Sequence, residues 1–377
     1  MANLLDYINK YGDYTIHEKA LTEIDFIIFS QLSYINFCSL DIDFSKKETL
    51  EYVAKKLQEK KYSNKLGVLI PDIILPTFYL MAEKERYKNI LFCDYVNEID
   101  KNQIKQFCAL TLILSKELKC ISFSGTDDSI AGWKENLNML YMEATPSQIK
   151  SKEYLAKESR GYKGKILITG HSKGGNLAFY SVIHSSRFVK PKIVGVYSFD
   201  GPGLSNKDCK KMVELPIYDK FISYITECSI IGKLFLNTAK TIVCKSSNIG
   251  LLQHDSFSWI IDDDKFVRGE KEDEQSINID KKIKEITESM SSQDRKEFVD
   301  VLFKIIGYMT VDKLSDIKTQ QKFSIVKGYF AIETESRKII NNVAIKMIKD
   351  KSMRKIFIDS ILEFSRRKSL KNQKTKG

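Results

Sequence analysis

The pattern of apolar and polar positions changes texture twice along the chain. Over the first hundred residues Leu21, Ile24, Phe26, Ile27, Phe29 and Leu32 recur at mixed three- and four-residue spacing, which predicts a helical preface. From about residue 108 short apolar runs alternate with polar stretches of helical length, and the runs predict strands at 108–114, 120–124, 165–169, 192–199, 221–226 and 241–245. Strand and helix alternating at these lengths predict an α/β fold, a mostly parallel sheet flanked by helices. After about residue 261 the strand signals disappear. Residues 262–274 read as a charged loop, and 277–368 as amphipathic helices carrying, for example, Phe298, Leu302, Ile305 and Ile306. The expected division is therefore a body over 1–260, including the preface over 1–100, and a C-terminal helical extension over 261–377.

Charge changes this picture at one end. Of the 60 basic and 49 acidic residues in the 377, residues 1–260 hold 34 and 29, residues 261–350 hold 17 and 18, and residues 351–377 hold 9 and 2. Most of the net +11 is thus a basic tail, which argues against a nucleic-acid-binding body, since such a body carries its basic face on folded structure. Ile345, Ile348, Ile356, Ile361, Leu362 and Phe364, interspersed with Lys349, Lys351, Arg354, Lys355, Arg366, Arg367 and Lys368, suit peripheral contact with an anionic membrane. The seven cysteines include no CxxC pair and no histidine–cysteine cluster at metal spacing, so reduced thiols are expected, with no metal and no cofactor. The first residues lack the basic and apolar regions of a secretory signal. The longest apolar stretch, 66–81, is broken by Asp72 and two prolines and falls short of the roughly 18 apolar residues of a membrane span. A cytoplasmic protein is the expectation.

The sharpest chemical feature is Gly170-His171-Ser172-Lys173-Gly174-Gly175, which follows the apolar run Ile166-Leu167-Ile168 and opens a helical pattern. Strand, G-x-S-x-G, helix is the context of a nucleophile elbow, in which Ser172 is lifted to a helix N-terminus and the Lys173 N–H can donate to an oxyanion. A serine hydroxyl needs a base. Of the four histidines, His17 lies in the preface, His171 sits at the elbow's variable position and is expected to pack away from the nucleophile, and His184 is twelve residues down the helix. His254, in a loop after the last predicted strand, fits the chain order serine, acid, histidine. For the acid, Asp200 ends the strand after the elbow and is the first candidate. Glu227, ending the next strand, is the alternative, and Asp255 is a third. A second oxyanion donor is expected from the loop after 120–124, where Gly125 permits close approach and Thr126 offers an N–H or hydroxyl.

These residues resemble a known group. Gly170 to Ala178 is similar to the elbow of class 3, fungal-type triacylglycerol lipases, and Phe123-Ser124-Gly125-Thr126 with Trp133 is similar to their F-R-G-T…W segment. A nearer resemblance is to a family of bacterial lipase-like α/β-hydrolases, through blocks at residues 3–8, 123–128, 132–136, 170–178, 199–203 and 253–259. The resemblance implies an α/β-hydrolase fold and carboxylic-ester hydrolysis of a small-molecule or lipid ester, with Ser172 as nucleophile and His254 as base. Two positions depart from the family pattern: Ser124 stands in place of arginine and Asn136 in place of aspartate. The acid stays open. Class 3 lipases take theirs from the strand that Glu227 follows, whereas pancreatic-type lipases use the strand that ends at Asp200.

Overall fold

Eight strands lie side by side in the order in which the chain makes them. The computed structural model describes residues 2–61, 66, 70–270, 272–307, 311–313, 316, 322–351 and 354–355. Of the basic tail expected at 351–377, residues 352–353 and 356–377, with Ile356, Ile361, Leu362, Phe364, Arg366, Arg367 and Lys368, lie outside the described residues, as do residues 67–69 of the long apolar stretch.

The chain runs α1 (Leu4–Tyr11), α2 (Glu23–Leu32), β1 (Glu48–Thr49), α3 (Leu50–Glu59), α4 (Ile74–Glu83), β2 (Leu91–Asp100), β3 (Lys105–Ser115) and β4 (Leu118–Phe123). It continues through α5 (Ile130–Asn138), α6 (Pro146–Ser159), β5 (Lys165–His171), α7 (Lys173–Ile183), β6 (Ile193–Phe199), α8 (Asn206–Val213), β7 (Phe221–Thr226) and β8 (Lys240–Cys244). A small hairpin, β9 (Ile261–Asp262) and β10 (Lys265–Phe266), precedes α9 (Glu274–Glu288), α10 (Ser292–Gly307), α11 (Lys322–Ala331) and α12 (Thr334–Lys349). β1 to β4 pair antiparallel and β4 to β8 parallel.

Helices cover both faces of the sheet because its parallel strands are apolar on both faces. In β5, Leu167 enters the core beneath α1 to α4, while Ile166 and Ile168 enter the opposite core with Leu177 and Ile183 of α7. This is the two-residue alternation of a strand. It builds the α/β-hydrolase fold, with the elbow between β5 and α7 at the sheet's C-terminal edge.

Two expectations are corrected. The first hundred residues are not a helical preface alone, because 91–100 form β2. Asp94, Asn97, Glu98 and Asp100 leave it without an apolar run, and Glu98 is paired with Lys105 and Lys150 at 2.8 and 2.9 Å. The helices of this first segment pack directly on the sheet. Carbonyls of Phe26 and Phe29 in α2 accept hydrogen bonds from Thr169 and Ser122 of the central strands, at 2.9 and 3.0 Å. Asp25 of the same helix holds a fully buried ion pair with Arg86, closed by the hydroxyls of Tyr7 and Tyr87. The second correction is at 261–266, expected to lack strands. Buried Ile261 and Phe266 turn about exposed Asp263, and Ile261 donates to the carbonyl of Ala2 at 2.9 Å. Strand 108–114 is also longer than expected.

All seven cysteines are free. Among the described residues no helix is long and apolar enough to cross a membrane.

Candidate active site

The elbow is a turn that only small residues permit. A Cβ on Gly170 would fall 2.2 Å from the carbonyl oxygen of Gly174, and one on Gly174 would fall 2.1 Å from that of Phe123. Between them Ser172 takes φ +56° and ψ −131°, a conformation disfavoured for any L side chain. It is held there by Ser172 N–H to the carbonyl of Phe199 and Gly175 N–H to that of Ser172, both at 2.9 Å. Ser172 is half-buried between buried neighbours and makes no side-chain capping bond to α7. Lys173 opens that helix, so its N–H has no intrahelical partner.

His254 and Asp200 meet at 2.6 Å through Nδ1 and Oδ2. A carboxylate can only accept, so Nδ1 carries the proton and Nε2 is left as the basic nitrogen. Asp200 is 1% exposed, and Ser229 donates to its other oxygen at 2.5 Å. Burial alone pushes this carboxyl upward. The hydrogen bond and charge of His254, with the Ser229 hydroxyl, outweigh burial and hold it below the usual carboxylate range. The loop carrying His254 is pinned on both sides of the histidine. Gln253 accepts from Cys228 N–H at 2.8 Å, and the indole of fully buried Trp259 donates to the Gln253 carbonyl at 2.9 Å.

The other sequence candidates separate from this pair. Glu227 lines an acidic cleft of about 620 Å³ with Glu270, Glu272 and Asp273, its side chain against Gly269. Thr126 stands in the loop after β4, where its hydroxyl accepts from Asn136 Nδ2 at 2.6 Å, so the hydroxyl proton remains available to another acceptor. His17 is exposed, and His184 is bound to Asp208 at 2.7 Å at the far end of α7.

The family profile of Mbeg1-like proteins matches residues 81–304, more than half of the chain, from the end of α4 through the elbow and the His254 loop into α10. The chain belongs to the Mbeg1-like family. No curated protein matches it. Among solved structures, similarity extends to M37 lipase (17% identity, 55% of this chain and 68% of that chain, TM-score 0.34). It extends also to a fungal lipase–inhibitor complex (15%, 58% and 78%, TM-score 0.37) and to Rhizomucor miehei lipase with its propeptide (14%, 58% and 67%, TM-score 0.37).

Within the span matched by the Mbeg1-like family, the structure adds residues that sequence reasoning missed. The side chain of Lys173, expected to matter only for its backbone, is 1% exposed. Its three ammonium protons go to the Gln106 carbonyl and Gln106 Oε1, both at 2.5 Å, and to Glu135 Oε2 at 3.2 Å. Glu135 also accepts from Gln106 N–H, Ser147 N–H and the Ser147 hydroxyl at 2.7 to 2.9 Å. Gln106 Nε2 in turn stands 3.5 Å from the Gly125 carbonyl, so the network runs from the first residue of α7 to the loop of Thr126. A lysine next to the serine and a glutamate in the Gly132–Asn136 block were the available signal. His171, expected only to pack, is hydrogen-bonded at both ring nitrogens.

Proposed function

We propose that the protein is a serine hydrolase that cleaves carboxylic esters of lipase or esterase type. Ser172 Oγ attacks the acyl carbonyl while His254 Nε2 takes its proton, and Asp200 holds the imidazole in the required tautomer and stabilises the imidazolium. The Lys173 N–H and Thr126 receive the oxyanion. His254 then protonates the leaving alkoxide, and water releases the acyl group by the same steps in reverse order. The observation that carries this reading is the strained, half-exposed Ser172 at an uncapped helix N-terminus, one residue from a histidine whose ring lies 4.6 Å from that of the Asp200-bound His254. Hydrolysis of short and medium p-nitrophenyl esters by wild type, lost in Ser172→Ala with the melting temperature retained, is the expected result. Equal hydrolysis by both proteins contradicts it.

Lipid-borne esters are the favoured substrate class because of the C-terminal helices. α11 and α12 both pack on α10 and leave Val326, Phe330, Ile345 and Ile348 exposed. Residues 322–377 hold 15 basic and 5 acidic residues, nearly the whole net charge of the chain. Exposed apolar side chains within so basic a segment suit an anionic lipid surface, where apolar insertion and charge attraction add.

A further inference from the structure

His171 Nε2 stands 2.9 Å from the backbone carbonyl of His254, and Nδ1 stands 2.8 Å from the Tyr34 hydroxyl. A carbonyl oxygen has no proton to give, so Nε2 is the protonated nitrogen and donates. Nδ1 is then an acceptor, and the Tyr34 hydroxyl must donate to it. The direction of both bonds follows from one atom.

Tyr34 comes from the chain just after α2, in the layer on the sheet face opposite α7. Its hydroxyl also packs on the loop of Thr126, since a Cβ on Gly125 would fall 1.9 Å from it. One phenol therefore touches the oxyanion loop and the elbow, and through His171 it reaches the loop that carries the base. Burial drives the His171 ring down to about 3, and the neighbouring His254 adds to the effect, so the ring is neutral near pH 7. A neutral ring can lie 4.6 Å from His254 without opposing the imidazolium that forms during acyl transfer.

We propose that Tyr34 and His171 are positioning residues, a directed relay from Tyr34 O–H to His171 Nδ1 and from His171 Nε2–H to the His254 carbonyl, which fixes the base loop and the oxyanion loop relative to each other across Ser172. The relay rests on the serine-hydrolase reading for its purpose, but its geometry can be tested without activity.

The kinetic test is the second-order rate of Ser172 acylation by a fluorophosphonate, measured on full-length wild type, Tyr34→Phe, His171→Phe, the double variant and His171→Gln. Each phenylalanine variant is expected to slow acylation about tenfold, the size of one buried partner lost. The double variant should be no slower than the slower single one, because both break the same chain. His171→Gln keeps an N–H directed at the carbonyl and should recover most of the loss. With an ester substrate, kcat should fall while KM is unchanged. Effects that multiply, or wild-type rates in folded variants, overturn the relay.

The structural test is ¹⁵N NMR of the full chain with labelled histidine. His171 should hold its proton on Nε2 and remain neutral down to about pH 3, and Tyr34→Phe should shift its Nδ1 resonance. A proton on Nδ1, or titration at an ordinary histidine pKa, overturns the relay whether or not the serine reacts. A wild type that is never acylated overturns the hydrolase reading instead, and the NMR result still decides the relay.

Discussion

Asp200 and Glu227 end neighbouring parallel strands, and what each side chain touches divides them. Asp200 is buried, carries a negative charge stabilised by His254 and Ser229, and fixes the imidazole tautomer, whereas Glu227 faces other carboxylates in a cleft. Asp200→Asn should therefore lower kcat for p-nitrophenyl esters by about 10³–10⁴ with little change in KM, as expected when the base loses its orienting charge. Glu227→Gln should stay within about twofold, because it removes no contact to His254. A loss confined to Glu227→Gln would reverse the assignment. Motif and chain order named Ser172 and His254 and put Asp200 ahead of Glu227, but left the acid open, because chain order says which strand a carboxylate ends and not whether its side chain clears the edge toward the histidine. The reach of His171 and Tyr34 was hidden for the same reason, since a residue of the N-terminal layer meets the elbow only in three dimensions.

At the scale of elements, the elbow and α5 are joined by a charge pair buried in the interior. Lys173 is 1% and Glu135 0% exposed, so removing one partner strands the other without solvent. Lys173→Met should destabilise the protein by about 3–5 kcal/mol in urea unfolding, the usual cost of an uncompensated buried charge. Lys173→Met combined with Glu135→Gln should recover part of that loss. A single variant as stable as wild type would mean that the pair is not held in the folded protein. Sequence reading located the parallel strands well because their apolar runs are buried on both faces. It missed β2, whose Glu98 is paired with Lys105 and Lys150 and whose Asp94 is paired with Lys157, all from other elements, and β9–β10, whose two-residue strands are too short for an alternation to register.

For the molecule as a whole, the α/β-hydrolase body holds a site whose parts come from the N-terminal layer, the sheet edge and the loops beyond β6 and β8. The C-terminal helices add a basic segment with exposed apolar side chains. The full chain should co-sediment with vesicles containing phosphatidylglycerol and not with phosphatidylcholine alone, and Phe330→Glu with Ile348→Glu should weaken that binding at least about tenfold. Equal binding by the variant removes this face from the account, and a concentration-dependent dimer lost in the same variant assigns it to self-association instead. The charge imbalance was legible in the sequence; which apolar residues stay uncovered was not, since that depends on how α11 and α12 seat on α10. The central claim, an activated serine at the elbow, is tested most directly by fluorophosphonate labelling of the intact protein followed by mass analysis of the modified peptide. The account predicts a single adduct on Ser172 that is absent in Ser172→Ala and strongly reduced in His254→Ala. No adduct on the wild type, or an equal adduct on Ser172→Ala, contradicts it.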